Sequence, residues 1–303
     1  MTVSHSENTV ENTLRAIPGI GVKRSQMIRD VLKSNSKTLD DLLGLPADSI
    51  KRDFKLPINV AEAIVTYQHE HTLDNAATAP DFTCLTPADS AYPTRLTQLL
   101  GGKAPTELYI WGNLNLLARP AVGLCGSRKV SEQGLKIAAD VVEQLVALDY
   151  VIVSGHANGV DTMAHQTALA KGGATIIVLA EGMGQFKLHE AIKALITPDN
   201  VLIISEFAPT ARWTKLNAMT RNKTIVGLSD AVMLVESRLE GGTFDAGKTA
   251  LSLKQPLFVA EYKTTTAENA GNAYFLKRGA IPLKKSAQTG RANVHTLVHA
   301  ARF

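Results

Sequence analysis

Residues 151–179 read VIVSGHANGVDTMAHQTALAKGGATIIVL, and this stretch decides the fold class. It opens and closes on short apolar runs, 151–154 and 174–179, each too apolar on both faces for a half-exposed strand. Such runs suit a parallel sheet buried on both sides. Between them, residues 158–171 fit a helix, entered through the turn Ser154-Gly155-His156-Ala157-Asn158-Gly159. Strand, glycine turn, helix and strand together make the repeating unit of a parallel sheet with crossover helices.

The same alternation continues in both directions along the chain. Further strand candidates are 121–125 (AVGLC), 201–205 (VLIIS), 231–235 (AVMLV) and 257–260 (LFVA). Helices fit at 131–148 and at about 188–197, 217–228 and 243–254. In 131–148 the residues Leu135, Ala138, Val142, Leu145 and Leu148 fall on one stripe, the mark of a helix laid on a core. The expected class is α/β, a doubly wound and mostly parallel sheet. Upstream the period changes. LRAIPGIGVKRSQMIRDVLKSN (14–35) reads as two helices joined by the turn Pro18-Gly19-Ile20-Gly21, and residues 38–70 form a second helical stretch broken at Pro46 and Pro57. A small, polar, Pro-containing linker is expected at 72–83, TLDNAATAPDFT. The expected division is a small all-α domain at 1–78 and the α/β domain at 79–303.

Composition removes several classes of function. The chain has 303 residues, 45% hydrophobic and 20% charged, an ordinary globular balance. Its two cysteines, Cys84 and Cys125, exclude a disulfide scaffold and a multi-cysteine zinc site, and they suit a reducing cytoplasm. The N-terminus is polar and acidic, unlike a signal peptide, and no apolar run approaches the roughly 18 residues of a membrane span. The net charge is +4, yet residues 269–303 hold six bases and no acid. That segment fits either a polyanionic partner or a solvated basic end.

In a doubly wound sheet, ligands bind where strands end at their carboxyl edge and helices begin. The first strand is followed there by Gly126-Ser127-Arg128, the second by Ser154-Gly155, the third by Ala180-Glu181-Gly182, the fourth by Ser205-Glu206, and the fifth by a loop ending Gly241-Gly242-Thr243. Recurrent Gly and Ser at these positions let a phosphate approach backbone N–H groups and helix N-termini. Neither G-x-G-x-x-G after the first strand nor G-x-x-x-x-G-K-[ST] is present, which argues against NAD and P-loop chemistry. Basic groups near the loops are Arg128, Arg221 and Lys223. Asp161 and His165, four apart on a helix, could form half a metal site or an acid–base pair, or simply a cap and a polar core residue; no third ligand with matching logic accompanies them. Cys84 and Cys125 lack an adjacent His, and no G-x-S-x-G elbow exists, so triad hydrolysis is not expected. No cofactor is expected.

The motifs GSRKVSEQG, VIVSGHANGVDTMAHQTAL, GGATIIVLAEG, ISEF, TRNKTIVGLSDAVMLVES and GGTFDAGKTALSLKQPLFV resemble, in order and spacing, the DprA/Smf family of DNA-processing proteins. The resemblance runs from about 84 to 283, and the helical segment before it resembles the sterile-alpha-motif-like or helix-hairpin-helix domain of that family. It implies a Rossmann-like core that binds single-stranded DNA without catalysis, dimerises, and hands the strand to a RecA-type recombinase during DNA uptake or a related process. Carried over position by position, it assigns strand-binding roles to Gly126, Ser127, Arg128, Ser154, Gly155, Arg221, Asn222, Lys223, Gly241, Gly242 and Thr243. The chain departs from the family at His156 and Asn158, where an apolar residue and an Arg are usual. It also lacks the Tyr-Pro pair in EGMGQFKLHEAI and the Pro-Gly after the last strand. A competing reading is a nucleotide sensor or a nucleoside-monophosphate hydrolase, with Glu181, Glu206 or Glu236 as its carboxylate and Asp245 in an incomplete Gly-Gly-x-Gly-Thr loop. The Pro18–Gly21 turn, flanked by Lys23 and Arg24, also suits contact with a duplex backbone, or packing only.

Overall fold

The computed structural model describes residues 7–43, 45–74 and 82–301. The chain divides into two compact units, Met1–Asp81 and Phe82–Phe303. In the first, five helices are described: α1 (Glu7–Ala16), α2 (Val22–Ser34), α3 (Leu39–Leu43), α4 (Ala47–Asp53) and α5 (Ile58–Asp74). Leu14, Ile17 and Ile20 around the first turn, with Ile28 and Leu32 one helical turn apart on α2, pack against Ile50, Phe54, Val60 and Ile64. Gly19 takes φ +85° between α1 and α2, a conformation open to glycine, and the Arg24 side chain donates to its carbonyl at 2.5 Å. Of the expected linker at 72–83, residues 75–81 lie outside the described residues.

The second unit is built on one nine-stranded sheet among the described residues. Its elements in order are β1 (Thr83–Leu85), α6 (Thr94–Leu100), β2 (Leu108–Gly112), β3 (Ala121–Cys125), α7 (Glu132–Ala147), β4 (Val151–Ser154), α8 (Val160–Ala170), β5 (Thr175–Val178) and α9 (Glu190–Lys193). They continue with β6 (Val201–Ser205), α10 (Lys215–Leu228), β7 (Ala231–Leu234), α11 (Gly242–Ser252), β8 (Leu257–Ala260), α12 (Ala270–Leu276), β9 (Ile281–Leu283) and α13 (His295–Ala300). The strand order is β1-β2-β6-β5-β4-β3-β7-β8-β9, parallel from β6 to β9, so the expected α/β class and Rossmann-like winding hold. The chain winds outward from β3 to β6, crosses back through α10 and resumes at β7 beside β3. The order reverses between β3 and β7, which is where such sheets bind ligands.

All six expected strands form. Three more were not anticipated: β1 and β2, which add an antiparallel edge to β6, and β9 with Pro282 at the far edge. The helix expected at 188–197 is only the four residues of α9. Alternation along the strands divides the core, with Val151 and Val153 on one face and Ile152 on the other. The basic C-terminal segment belongs to the fold. Leu297, Val298 and Ala301 join the core, Arg291 pairs with Asp140 at 2.5 Å and Glu143 at 3.1 Å, and Lys284 lies 3.9 Å from Glu261.

Candidate nucleic-acid interface

Each loop at the carboxyl edge is shaped by what its glycines let approach. After β3, a side chain at Gly126 would run into Val160, so this glycine lets α8 close on the strand end. The Ser127 N–H donates to the Glu236 carbonyl at 3.0 Å, and its hydroxyl accepts the Lys129 N–H at 3.1 Å, which holds the turn and leaves Arg128 exposed. Gly159, at φ +85°, passes directly beneath the Ser127 carbonyl, where any larger residue would collide.

Two helix N-termini flank the reversal, and they differ. At α7 the Ser131 hydroxyl accepts the Gly134 N–H at 3.0 Å, and the buried Glu236 carboxylate accepts the Ser131 N–H at 2.7 Å, so that end is satisfied internally. At α11, Gly241 stands in the cap position with φ +92° and no side-chain cap. A Cβ added at Gly241 or Gly242 meets nothing within 4 Å, so the start of the helix borders open space. Those amides and the helix dipole favour an anion.

Between these ends lies a cleft of about 510 Å³. Gly126, Ser127, Arg128, Arg221, Asn222, Gly241, Gly242 and Thr243 all line it, eight of the eleven residues carried over from the family. Five bases border it, Arg128, Lys129, Lys215, Arg221 and Arg238, against three acids, Asp161, Glu236 and Glu240. Asn222 has a positioning role: its amide donates to the Gly242 carbonyl at 3.0 Å and to Asp245 at 3.3 Å, fixing the start of α11 against α10.

Three of the eleven are not in the lining. Ser154 is fully buried and its hydroxyl donates to the Leu124 carbonyl at 2.5 Å. Gly155 is buried beneath the Arg221 guanidinium, which a β-carbon would displace. Lys223 is half-buried and adds its charge to Arg221 in easing the ionisation of Glu206, whose pKa burial raises. Arg221 is only 6% exposed, and its Nε has no hydrogen-bond partner among the described residues. Its charge favours ionisation of Asp161, Glu181 and Glu206, three carboxylates that burial pushes above the usual range.

Asp161 and His165 have structural partners. Asp161 accepts the Ala157 N–H at 3.2 Å, while the His165 ring is held between the Gly155 carbonyl at 2.6 Å and the Thr175 hydroxyl at 2.7 Å. Burial drives the His165 pKa down to about 4, so the ring is neutral near pH 7. His156, against His189 at 4.2 Å and Phe186 at 4.8 Å, falls to about 3, through burial first and then its electrostatic neighbours His189, His165 and Arg221. No group of three or more His, Cys, Asp or Glu among the described residues could hold a metal. Cys125 borders the cleft, but burial raises its thiol to about 12, which removes it as a nucleophile near neutrality.

Sequence reasoning missed Trp213. It lines the cleft at 48% exposure, with the Arg128 guanidinium 5.1 Å from its ring centre. The available signal was an indole in the polar stretch before Lys215, where no core stripe calls for one.

Comparison with known proteins follows the same lines. Residues 83–292 match the family described as DNA recombination-mediator protein A. The chain is 33% identical to DNA processing protein DprA of Streptococcus pneumoniae over 203 residues, covering 66% of this chain and 70% of that protein. It is 30% identical to Protein Smf of Escherichia coli over 200 residues, spanning about half of that longer protein (53%). The X-ray structure of the pneumococcal protein superposes with TM-score 0.63 at 25% identity, covering 93% of this chain and 95% of that one. A Helicobacter pylori DNA processing protein A structure, solved to describe its single-stranded DNA binding mode, gives TM-score 0.58 at 25% identity over 68% of this chain and 93% of that one.

Proposed function

The chain belongs to the DprA/Smf family of DNA recombination mediators, and from that premise we propose that it holds single-stranded DNA in the cleft between β3 and β7 and passes the strand to a RecA-type recombinase. The observation that carries this reading is the bare α11 N-terminus. It offers amides with no side-chain cap beside open space, in a cleft that Arg128 and Lys129 also line, while the neighbouring α7 end is already satisfied. Backbone amides and bases that recur without a base-reading pocket suit a polyanionic strand of any sequence. The role is binding rather than catalysis: the one thiol at the cleft is held protonated, and the Glu236 carboxylate is committed to the Ser131 amide. The protein acts as a homodimer in the cytoplasm. Its α1–α2 turn, with Gly19 in the left-handed region and Lys23 beside it, touches a duplex backbone.

The nucleotide-sensor or hydrolase reading keeps one supporting observation, the buried Asp161 at the cleft. Of its original carboxylates only Glu236 borders the cleft. A salt titration of dT-oligomer binding separates the two. Arg128→Ala should lower the magnitude of the log–log salt slope by about 0.7 for one lost phosphate contact. Lys223→Ala should add little, since Lys223 lies outside the lining. Unchanged affinity and slope in Arg128→Ala, together with a thermal shift by a nucleoside monophosphate alone, would transfer the site to the rival.

A further inference from the structure

Resting on that reading, we infer that Trp213 is a stacking shelf for a nucleobase at the mouth of the cleft, separate from the phosphate-facing groups. Large apolar side chains on the surface are few here, and Trp213, Leu216 and Met219 are all among them, three residues apart at the start of α10. Trp213 and Met219 border the cleft. The indole is not on a free loop. The segment before it is pinned by the Gly182 N–H to the Ala211 carbonyl at 2.8 Å and by the Gly184 N–H to the Pro209 carbonyl at 2.9 Å. On its far side Thr214 caps α10 through the Asn217 N–H at 3.0 Å. A half-exposed indole on a pinned backbone forfeits the burial that would stabilise it in a core, and it offers a flat surface for stacking.

The charges around it specify the occupant. Arg128 lies over the ring, with Lys129 and Lys215 on the same rim. An apolar peptide would leave those cations unpaired, whereas a strand brings a base for the indole and a phosphate for the bases one linkage away. Arg128 then joins the two: the ring steers the guanidinium, which takes the phosphate next to the stacked base. Stacking of this kind tolerates every base, since each has a π-face.

The test uses the full chain and two oligomers of equal length, dT and its abasic analogue, with tryptophan fluorescence and anisotropy as readouts. Wild type should bind dT roughly tenfold more tightly than the abasic strand, the scale of one base–aromatic stack. Trp213→Ala should abolish that preference while keeping abasic affinity and salt slope, and Trp213→Phe should restore most of it. Quenching by dT should come from Trp213, because it disappears in Trp213→Phe although Trp111 remains. Equal losses on both oligomers in Trp213→Ala would overturn the shelf and leave the indole as a support for Arg128 only. An unaltered preference for dT would overturn it as well. Failure of wild type to bind either oligomer would instead defeat the proposed function itself.

Discussion

The carboxyl edge of the sheet has two halves that look alike as sequence and behave as opposites. Past β4, a serine–glycine turn is closed from within: the Ser154 hydroxyl, the Gly155 carbonyl and both His165 nitrogens have protein partners, and Arg221 covers the glycine. Past β7, a glycine turn is left open, with uncapped amides and empty space above them. Both turns contain the small residues that a phosphate loop needs. Availability, not composition, separates them: in one the Ser154 hydroxyl, the Gly155 carbonyl and the His165 ring already have partners, and in the other the first-turn amides have no side-chain cap.

The two halves should therefore fail differently. The largest effect should come from Arg221→Met. It removes the buried cation that favours ionisation of Asp161, Glu181 and Glu206, and loss of such a partner costs about 3 kcal/mol. Chemical denaturation at pH 7 would measure it, and a loss under 1 kcal/mol would mean that Arg221 is not holding the closed half together.

Acid should be next. The folded pKa values of His156 and His165 lie below the usual imidazole value of about 6.5, so as pH falls through that value the unfolded chain takes up protons that the folded chain does not. Each ring should withdraw about 2 kcal/mol between pH 7 and pH 5. The raised pKa values of Asp161, Glu181 and Glu206 act in the opposite direction, because the folded state protonates first. His156→Gln isolates one ring: its stability-versus-pH curve should be flatter by one proton between pH 6.5 and 4. A curve parallel to wild type would show the ring to be solvated and the half not closed.

The open half should respond in binding alone. Gly242→Asp puts an acid in the first turn of α11 in open space, which favours the helix and repels a phosphate. We expect about a tenfold loss of dT affinity, near 1.4 kcal/mol, with an unchanged or higher melting temperature. A variant that melts lower and binds as before would reverse the assignment of the two halves.

The contrast also explains what could be read in the sequence. The six central strands were legible because burial on both faces leaves an unbroken apolar run. The strands β1 and β9 have three residues each, and β2 lies in a stretch whose apolar residues do not separate strand from loop, so periodicity had little to act on. Likewise α9 stops after Lys193, although the apolar spacing runs on through Leu195 and Ile196. At the site, glycine and serine at strand ends pointed to the correct edge. Whether a hydroxyl there is free depends on a carbonyl from another strand, as Ser154 depends on Leu124, and no local pattern carries that. The same holds for Asn222, whose task is to hold Gly242.

The helix α10 also has a mechanical meaning. It is a rod of 14 residues, about 21 Å long, and its outer end bears Lys215 and the cleft residues. Its inner end is clamped to the middle of the sheet. The Ser229 hydroxyl donates to the Ile225 carbonyl at 2.7 Å and fits against Gly123, while Asp230 accepts the Ala121 N–H at 2.7 Å and pairs with Arg95 at 2.7 Å. A pull on anything gripped at the outer end is passed to β3, inside the sheet. Anything gripped there would sit on a fixed rod, so its release would depend on the grip itself and not on movement of the helix.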